Sequence, residues 1–489
     1  MNRTAFAAWS VLAILLFLPL QMLSTAQRFE WSLPATVLTA VLLYSIARLT
    51  WIAFRGRPHP MNLTFWVFVY IWCGLAPLVQ TATGHWPRGY VHDANAEFTA
   101  SLILALGLPC YDLGRMASRI FVSGGYQTRS FEFTVRAVLV LSAACVVTTL
   151  LTGAALGGPE VLFGSRGDIN SSLWAGRDKS QALLMQSLLR GPPFIAMMAL
   201  LNLLLRQRLT LSRANKRLLL LALAIVLPLN LMANFPPALQ RFWLGTIVLT
   251  YLFALVTWAR SRPAFYIALL CGGLVFGFPA LNSFRNAGSY DAFTIANFSE
   301  RITRAWNNPA YSICRDDYSG YQMLVNSTIY VRNEGTMHGK NVFDSFFFWF
   351  PRKWWPSKHI GSGHMVAGYV GYRYTNLDAS LWMESYLAFG WFGVVTILTL
   401  YGVASSAADR RFERDILRSQ QRSAVVWVVS LLAGYQIFLL RGDLLAATAY
   451  LSCPLLVLLL LIRWQSSSAH PSVPVDAGNR ATTAMRAGE

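Results

Sequence analysis

Acidic residues are the scarce ingredient of this 489-residue chain: 22 Asp and Glu stand against 41 Lys and Arg, and charged residues make up only 13% of it. A soluble protein so poor in charge and 55% hydrophobic would aggregate, which excludes an ordinary globular fold. Cysteine is sparse as well. Cys73, Cys110, Cys145, Cys271 and Cys453 lie in apolar runs and only Cys314 falls in a long polar segment, so no disulfide framework is expected. The sequence has neither a phosphate-cradling Walker loop nor a dinucleotide fingerprint. Its seven histidines lack the Cys or carboxylate companions that hold zinc or calcium. No metal and no cofactor are therefore expected, and the energy for any reaction has to arrive with the substrate. The net charge of +19 would suggest nucleic acid in a soluble chain. Here the cations alternate with apolar runs, a pattern of membrane topology that leaves no role for nucleic acid.

What the sequence has is apolar length. A membrane helix needs roughly 20 apolar residues, because lipid offers no partner to an unpaired backbone group. Twelve segments meet that need: 5–23, 31–53, 62–80, 98–114, 133–155, 183–205, 215–233, 241–259, 264–281, 381–405, 423–440 and 444–462. The expected fold is all-α, a polytopic membrane protein of about 12 transmembrane helices with one large external loop region. Its parts are 1–281 (nine helices, with an external loop at 157–181), the loop 282–380, the helices of 381–462, and a tail at 463–489. Ser, Ala, Pro and Gly dominate the tail from Gln465, which reads as disordered and cytoplasmic. Arg3 and the apolar stretch to Leu23 have features of a cleavable signal but are long enough to span, so an uncleaved first helix is expected.

Short connections rich in Lys and Arg stay cytoplasmic. Arg55 and Arg57, then Arg115, Arg119 and Arg129, then Arg206, Arg208, Arg213, Lys216 and Arg217, then Arg260 and Arg262, then Arg410, Arg411, Arg414, Arg418 and Arg422 all fall on one side. Both termini share that side. The segment 282–380 lies on the other, far longer than a structureless loop of about 15 residues. Chemistry is expected there.

Basic residues kept on the external face run against the bias and need a reason. Arg166, Arg177 and Lys179 precede the sixth span, Arg190 sits before a Gly191-Pro192-Pro193 break, Arg241 opens the eighth span and Arg441 opens the twelfth. A guanidinium forks onto phosphate with two hydrogen bonds at any physiological pH. Snorkelling to lipid head groups explains each one singly; the set suits pyrophosphate. The segment Lys179–Arg190 reads equally as a helix along the membrane surface or as an outward extension of the sixth span.

The densest text is Phe350-Pro351-Arg352-Lys353-Trp354-Trp355-Pro356-Ser357-Lys358-His359, with Gly361, Gly363 and His364 following, and then Leu381 through Gly393. Its cations suit phosphate, and its tryptophans suit sugar stacking or interfacial anchoring. Glu384, at the outer start of a span, needs a partner or a wet cavity. Imidazole is the side chain suited to taking a proton at physiological pH, so His338, His359 and His364 are candidate bases.

These two segments resemble the Wzy-type O-antigen and polysaccharide polymerases of bacterial inner membranes. Phe350 to Lys358 looks like the proline, arginine, tryptophan-proline and lysine signature of their large external loop. Glu384, Tyr386, Phe389, Gly390 and Gly393 resemble the segment that opens the following span. The resemblance implies a metal-independent glycosyltransferase of GT-C-like architecture in the inner membrane. It would join oligosaccharide repeat units carried on undecaprenyl pyrophosphate, at the periplasmic face. On that reading Arg241, Arg352, Lys353, Lys358 and Arg441 bind pyrophosphate, with Arg166, Arg177 and Arg190 as further binding residues. Trp354 and Trp355 meet the substrate, and Glu384 or His364 acts as base or orients the acceptor. Membrane lipids, a chain-length regulator and a flippase are the expected partners. An O-antigen ligase or related lipid-linked glycosyltransferase, and a flippase or transporter, are the competing readings.

Overall fold

The computed structural model describes residues 3–24, 29–89, 93–121, 133–158, 162–163, 166–177, 179–206, 211–236, 239–255, 258, 262–280, 295–417 and 423–468. Among these the protein is built of helices, and ten are long and apolar enough to cross a membrane. In chain order the helices are α1 (Arg3–Ser24), α2 (Leu33–Arg55), α3 (Pro60–Thr83), α4 (Ala94–Phe121), α5 (Val135–Ala155), α6 (Arg166–Trp174), α7 (Lys179–Arg206), α8 (Arg213–Ala233), α9 (Arg241–Leu255) and α10 (Arg262–Gly277). After these come α11 (Ile295–Asn307), α12 (Pro309–Ile313), α13 (Gly320–Glu334), α14 (Lys340–Phe346), α15 (Ser362–Tyr369), α16 (Leu381–Leu417), α17 (Ala424–Arg441) and α18 (Leu444–Ser468). Each of the twelve expected spans has its helix; α9 and α10 are the two shorter ones. Arg129, Arg208, Arg260, Arg418, Arg422 and the tail beyond Ser468 lie outside the described residues.

Among the described residues two large apolar cores form where these helices meet, with a small third cluster of Leu156, Leu162, Ile169, Leu173, Leu189 and Ala233. α1 to α4, α10, α13 and α16 build one; α5, α7, α8 and α18 build the other. α9 and α17 carry residues into both: Leu249 and Val429 into the first, Trp243 and Trp427 into the second. Their ends therefore lie at the seam. α3 is apolar on every side and nearly every residue from Pro60 to Thr83 is buried, as befits a helix with no solvent or lipid face.

The segment 295–380 is not a separate body. α13 drives Tyr321, Met323, Leu324 and Val325 into the first core, and α15 adds Val366 and Ala367. Two π-helical turns help to seat it, at Val69–Leu75 in α3 and Gly273–Gly277 in α10. Such turns shift helix register and free backbone groups for other partners. From the first, Trp72 Nε1 donates to Asp317 O at 3.0 Å; in the second, Leu274 O accepts from Tyr318 Oη at 2.7 Å. One turn further along α3, Gln80 Nε2 donates to Ile313 O and Tyr318 O.

α7 settles the two readings of Lys179–Arg190. It runs unbroken from Lys179 to Arg206 through Pro192 and Pro193, and Gln186, Ser187 and Arg190 are buried. The segment extends the sixth span, and the expected break at Gly191 does not occur. α16 does break. Phe389 and Gly390 leave helical geometry, with Gly390 at φ 60° and ψ −142°, a region open only to glycine. The carbonyls released there are taken up: Met337 N donates to Leu387 O and Gly339 N to Ala388 O.

Candidate functional site

Arg241 opens α9 and Arg441 closes α17, so the seam between the cores brings two guanidiniums to one end of the bundle. Arg241 grips Asp317 with both nitrogens, at 2.6 and 2.8 Å, and donates to Phe278 O at 3.1 Å. Arg441 contacts Asp378 at 2.8 Å and Asp317 at 3.9 Å, and its Nε donates to Asp317 O. Both cations lie over the Phe278 ring, at 4.6 and 5.7 Å. Burial, opposed by Arg441 and reinforced by Asp317, raises the Asp378 carboxyl to about 6.

This tetrad forms one wall of a 260 Å³ polar chamber whose other walls carry Asp316, His364, Tyr374, Asn376 and Asp443. A second cavity of 310 Å³ adjoins it and is almost wholly apolar, running between Leu244, Val248 and Leu252 of α9, Leu270 and Leu274 of α10, and Ile437 of α17. The two share a rim of Arg241, Phe242, Phe278, Phe438 and Arg441. Phe242 and Phe438 stack across it with centroids 3.5 Å apart. A polar chamber thus opens onto a greasy groove with two arginines at the junction.

Glu384 stands behind the chamber, 2% exposed. Its Oε2 accepts from Ser362 Oγ at 2.6 Å and Asn341 Nδ2 at 2.7 Å, and its Oε1 from the Leu444 amide at 2.9 Å. One carboxylate therefore pins α14, α15 and the start of α18 to α16. His359 reaches the same cluster through Nε2, 3.1 Å from Ser362 Oγ. Next to it, Asp443 accepts from Gly363 N and Leu445 N and faces the chamber. Of the candidate bases, His364 lies exposed on the chamber wall, whereas Glu384 and His359 are buried.

Two basic residues of the Pro351–His359 loop, Arg352 and Lys358, turn inward. Lys358 is 2% exposed with its ammonium against the carbonyls of Phe347, Phe348 and Phe350. Arg352 donates to Lys358 O and His359 O. A loop without sheet or helix leaves carbonyls unpaired, and these cations supply the donors. Lys353 and Trp354 are exposed, Trp354 at 73%, while Trp355 packs among Phe343, Phe347 and Phe350. Arg177 donates to Ser172 O and Ala155 O, tying α6 to the end of α5. Arg190 is buried and bonded to Gln240, which in turn donates to the chamber-lining Tyr450. The Arg166 side chain lies outside the described residues.

Sequence reasoning brought Arg241, Arg441 and His364 to the site but missed Asp317, Asp378 and Asp443. The signal was their rarity: with 22 acidic residues in the chain, four of them (Asp316, Asp317, Asp378, Asp443) line this one chamber. Among the described residues no group of His, Cys, Asp and Glu is arranged to hold a metal ion. No family model, no curated protein and no solved structure matches this chain.

Proposed function

We propose that this protein is a multi-pass membrane glycosyltransferase of the Wzy-type polymerase kind. It takes an oligosaccharide repeat unit carried on a polyprenyl pyrophosphate and transfers it to the end of a second lipid-linked glycan. The observation that carries the reading is the shared rim. A molecule with a charged, sugar-bearing head and a long apolar tail fits a polar chamber and an apolar groove joined at Arg241 and Arg441. The pyrophosphate would lie at the two arginines and the glycan in the chamber beyond.

The chemistry follows from that placement. An acceptor hydroxyl oxygen attacks the anomeric carbon, the carbon–oxygen bond to pyrophosphate breaks, and the leaving group keeps the electron pair. Arg241 and Arg441 stabilise the charge that develops on it. The hydroxyl proton passes to His364, the exposed imidazole on the chamber wall. The lipid pyrophosphate supplies the driving force. The opposite end of the bundle carries Arg55, Arg57, Arg119, Arg410, Arg411 and Arg414, and under the positive-inside bias this supports a chamber that faces the periplasm from a bacterial inner membrane.

The test is the length of surface or secreted polysaccharide in a strain lacking this protein. A ladder collapsed to single repeat units supports a polymerase. Long lipid-linked chains that never reach their acceptor would make it a ligase, and unpolymerised repeats trapped on the cytoplasmic side a flippase.

A further inference from the structure

At the end of the bundle opposite the chamber, α2, α3, α4 and α16 enclose a 480 Å³ cavity that the proposed reaction does not use. Arg48, Arg55, Arg57, Arg115, Arg119 and Arg410 line it, with Glu413 as the one lining carboxylate among the described residues. Asp112 and Asp409 stand close by. Asp112 contacts Arg48 at 2.6 Å, and Asp409 contacts Arg115 at 2.9 Å while also accepting from the amides of Met61 and Asn62. Glu413 meets His59 at 3.0 Å and Arg57 only at 3.8 Å. Among the described residues, six guanidiniums thus converge on a space served by three carboxylates. Helix C-termini and the positive-inside bias account for cations at this end but would let them splay into water. They do not account for a concave cluster whose mutual repulsion an anion would relieve.

We propose that this cavity binds a phosphate group, and that the group is the head of an acidic phospholipid. Its rim favours that source over a soluble phosphate. Trp51 lines it and is 47% exposed, and Phe54, Met116 and Ile120, each next in sequence to a lining arginine (Arg55, Arg115, Arg119), are 52–77% exposed on α2 and α4, apolar surface suited to acyl chains. Arg55 lies over the Trp51 ring at 4.6 Å, an aromatic and cation pair placed where lipid meets water. The lipid head would pull Arg57 off its long contact with Glu413 and tie the ends of α2, α4 and α16 together.

The experiment uses the purified full-length chain in nanodiscs of phosphatidylcholine with rising fractions of phosphatidylglycerol, following bound lipid by native mass spectrometry and Tm in parallel. The variant is R55Q/R57Q, whose two side chains are exposed and lie far from the chamber. Phosphatidylglycerol should raise the Tm of the wild type. Its affinity should fall about tenfold in the variant, the loss expected for removing two charge-assisted contacts to phosphate. If the double variant unfolds early in phosphatidylcholine alone, R57Q replaces it. Equal stabilisation of wild type and variant, or none of either, overturns the site. A Tm rise with inorganic phosphate but not with phosphatidylglycerol would assign the cavity to a soluble phosphate and overturn the lipid. None of these outcomes depends on the glycan reaction.

Discussion

Arg241 and Asp317, 76 positions apart in the chain, meet through both nitrogens and both oxygens. Removing one partner of so buried a pair leaves an uncompensated charge, which costs about 3 kcal/mol or more. Arg241→Ala should therefore lower Tm sharply. Arg241→Ala with Asp317→Asn removes both charges and should recover most of the stability, yet transfer from lipid-linked donor should stay strongly reduced because the pyrophosphate has lost one of its two arginines. Thermal unfolding and in vitro polymerisation of the two variants separate these effects. Wild-type activity in the stable double variant would remove Arg241 from donor binding.

Asp378 gives the chamber a pH dependence. Its folded value of about 6 lies above the usual 3.8, so between those values the folded state holds a proton that the unfolded chain releases. Its contribution to stability is present at low pH and declines as pH rises through that window. For binding, protonation frees Arg441 from a competing carboxylate. The other charged groups facing it are Asp317 and Arg241, with Asp316, Asp443 and His364 on the remaining walls. Affinity for inorganic pyrophosphate should rise as pH falls through about 6. Asp378→Asn, neutral at every pH, should hold the acid-limb affinity throughout, measured in a His364→Gln background so that no imidazole faces the ligand. A pH response unchanged in Asp378→Asn would assign it elsewhere.

Glu384 and His364 should fail in different ways. Glu384→Ala takes the carboxylate acceptor from Ser362, Asn341 and the Leu444 amide, leaving Asn341 only its bond to the Glu384 carbonyl, and should cost about 3 kcal/mol along with activity. His364→Gln touches none of that framework. It should leave Tm unchanged and lower kcat by about a hundredfold or more, as loss of a general base does. Should His364→Gln retain full kcat, Asp443 becomes the acceptor of the proton.

The membrane architecture was legible because lipid imposes one rule on every span, and the apolar runs of the sequence obey it. The shorter α9 and α10 were found by the same rule, whereas the π turn at Gly273–Gly277 left no mark in composition. At the site, Arg241 and Arg441 stood out as cations on the face that the charge pattern of the sequence disfavours. Asp317 and Asp378 did not, since an acidic residue in a polar loop looks ordinary until folding brings it to a guanidinium. Lys358 shows the converse. Its motif reads as a phosphate grip, but backbone carbonyls of its own loop already hold the ammonium. Composition reveals which charges are present; only packing decides which remain open to a ligand.

The apolar groove supplies the sharpest test of how donor is held. A Cβ built on Gly245 would meet no heavy atom within 4 Å, so Gly245→Leu can place its side chain in the groove without displacing backbone. The substitution also favours helix by about 1 kcal/mol, so α9 should not be weakened. Leucine there should obstruct an acyl or prenyl tail while leaving the arginine rim untouched. KM for a polyprenyl-linked donor should rise several-fold, and inorganic pyrophosphate should bind as in the wild type. A short-chain prenyl donor should be less affected than the full-length lipid. Equal losses for pyrophosphate and lipid would place the defect at Arg241 and Arg441, and no loss for either would mean that the tail runs outside α9, α10 and α17.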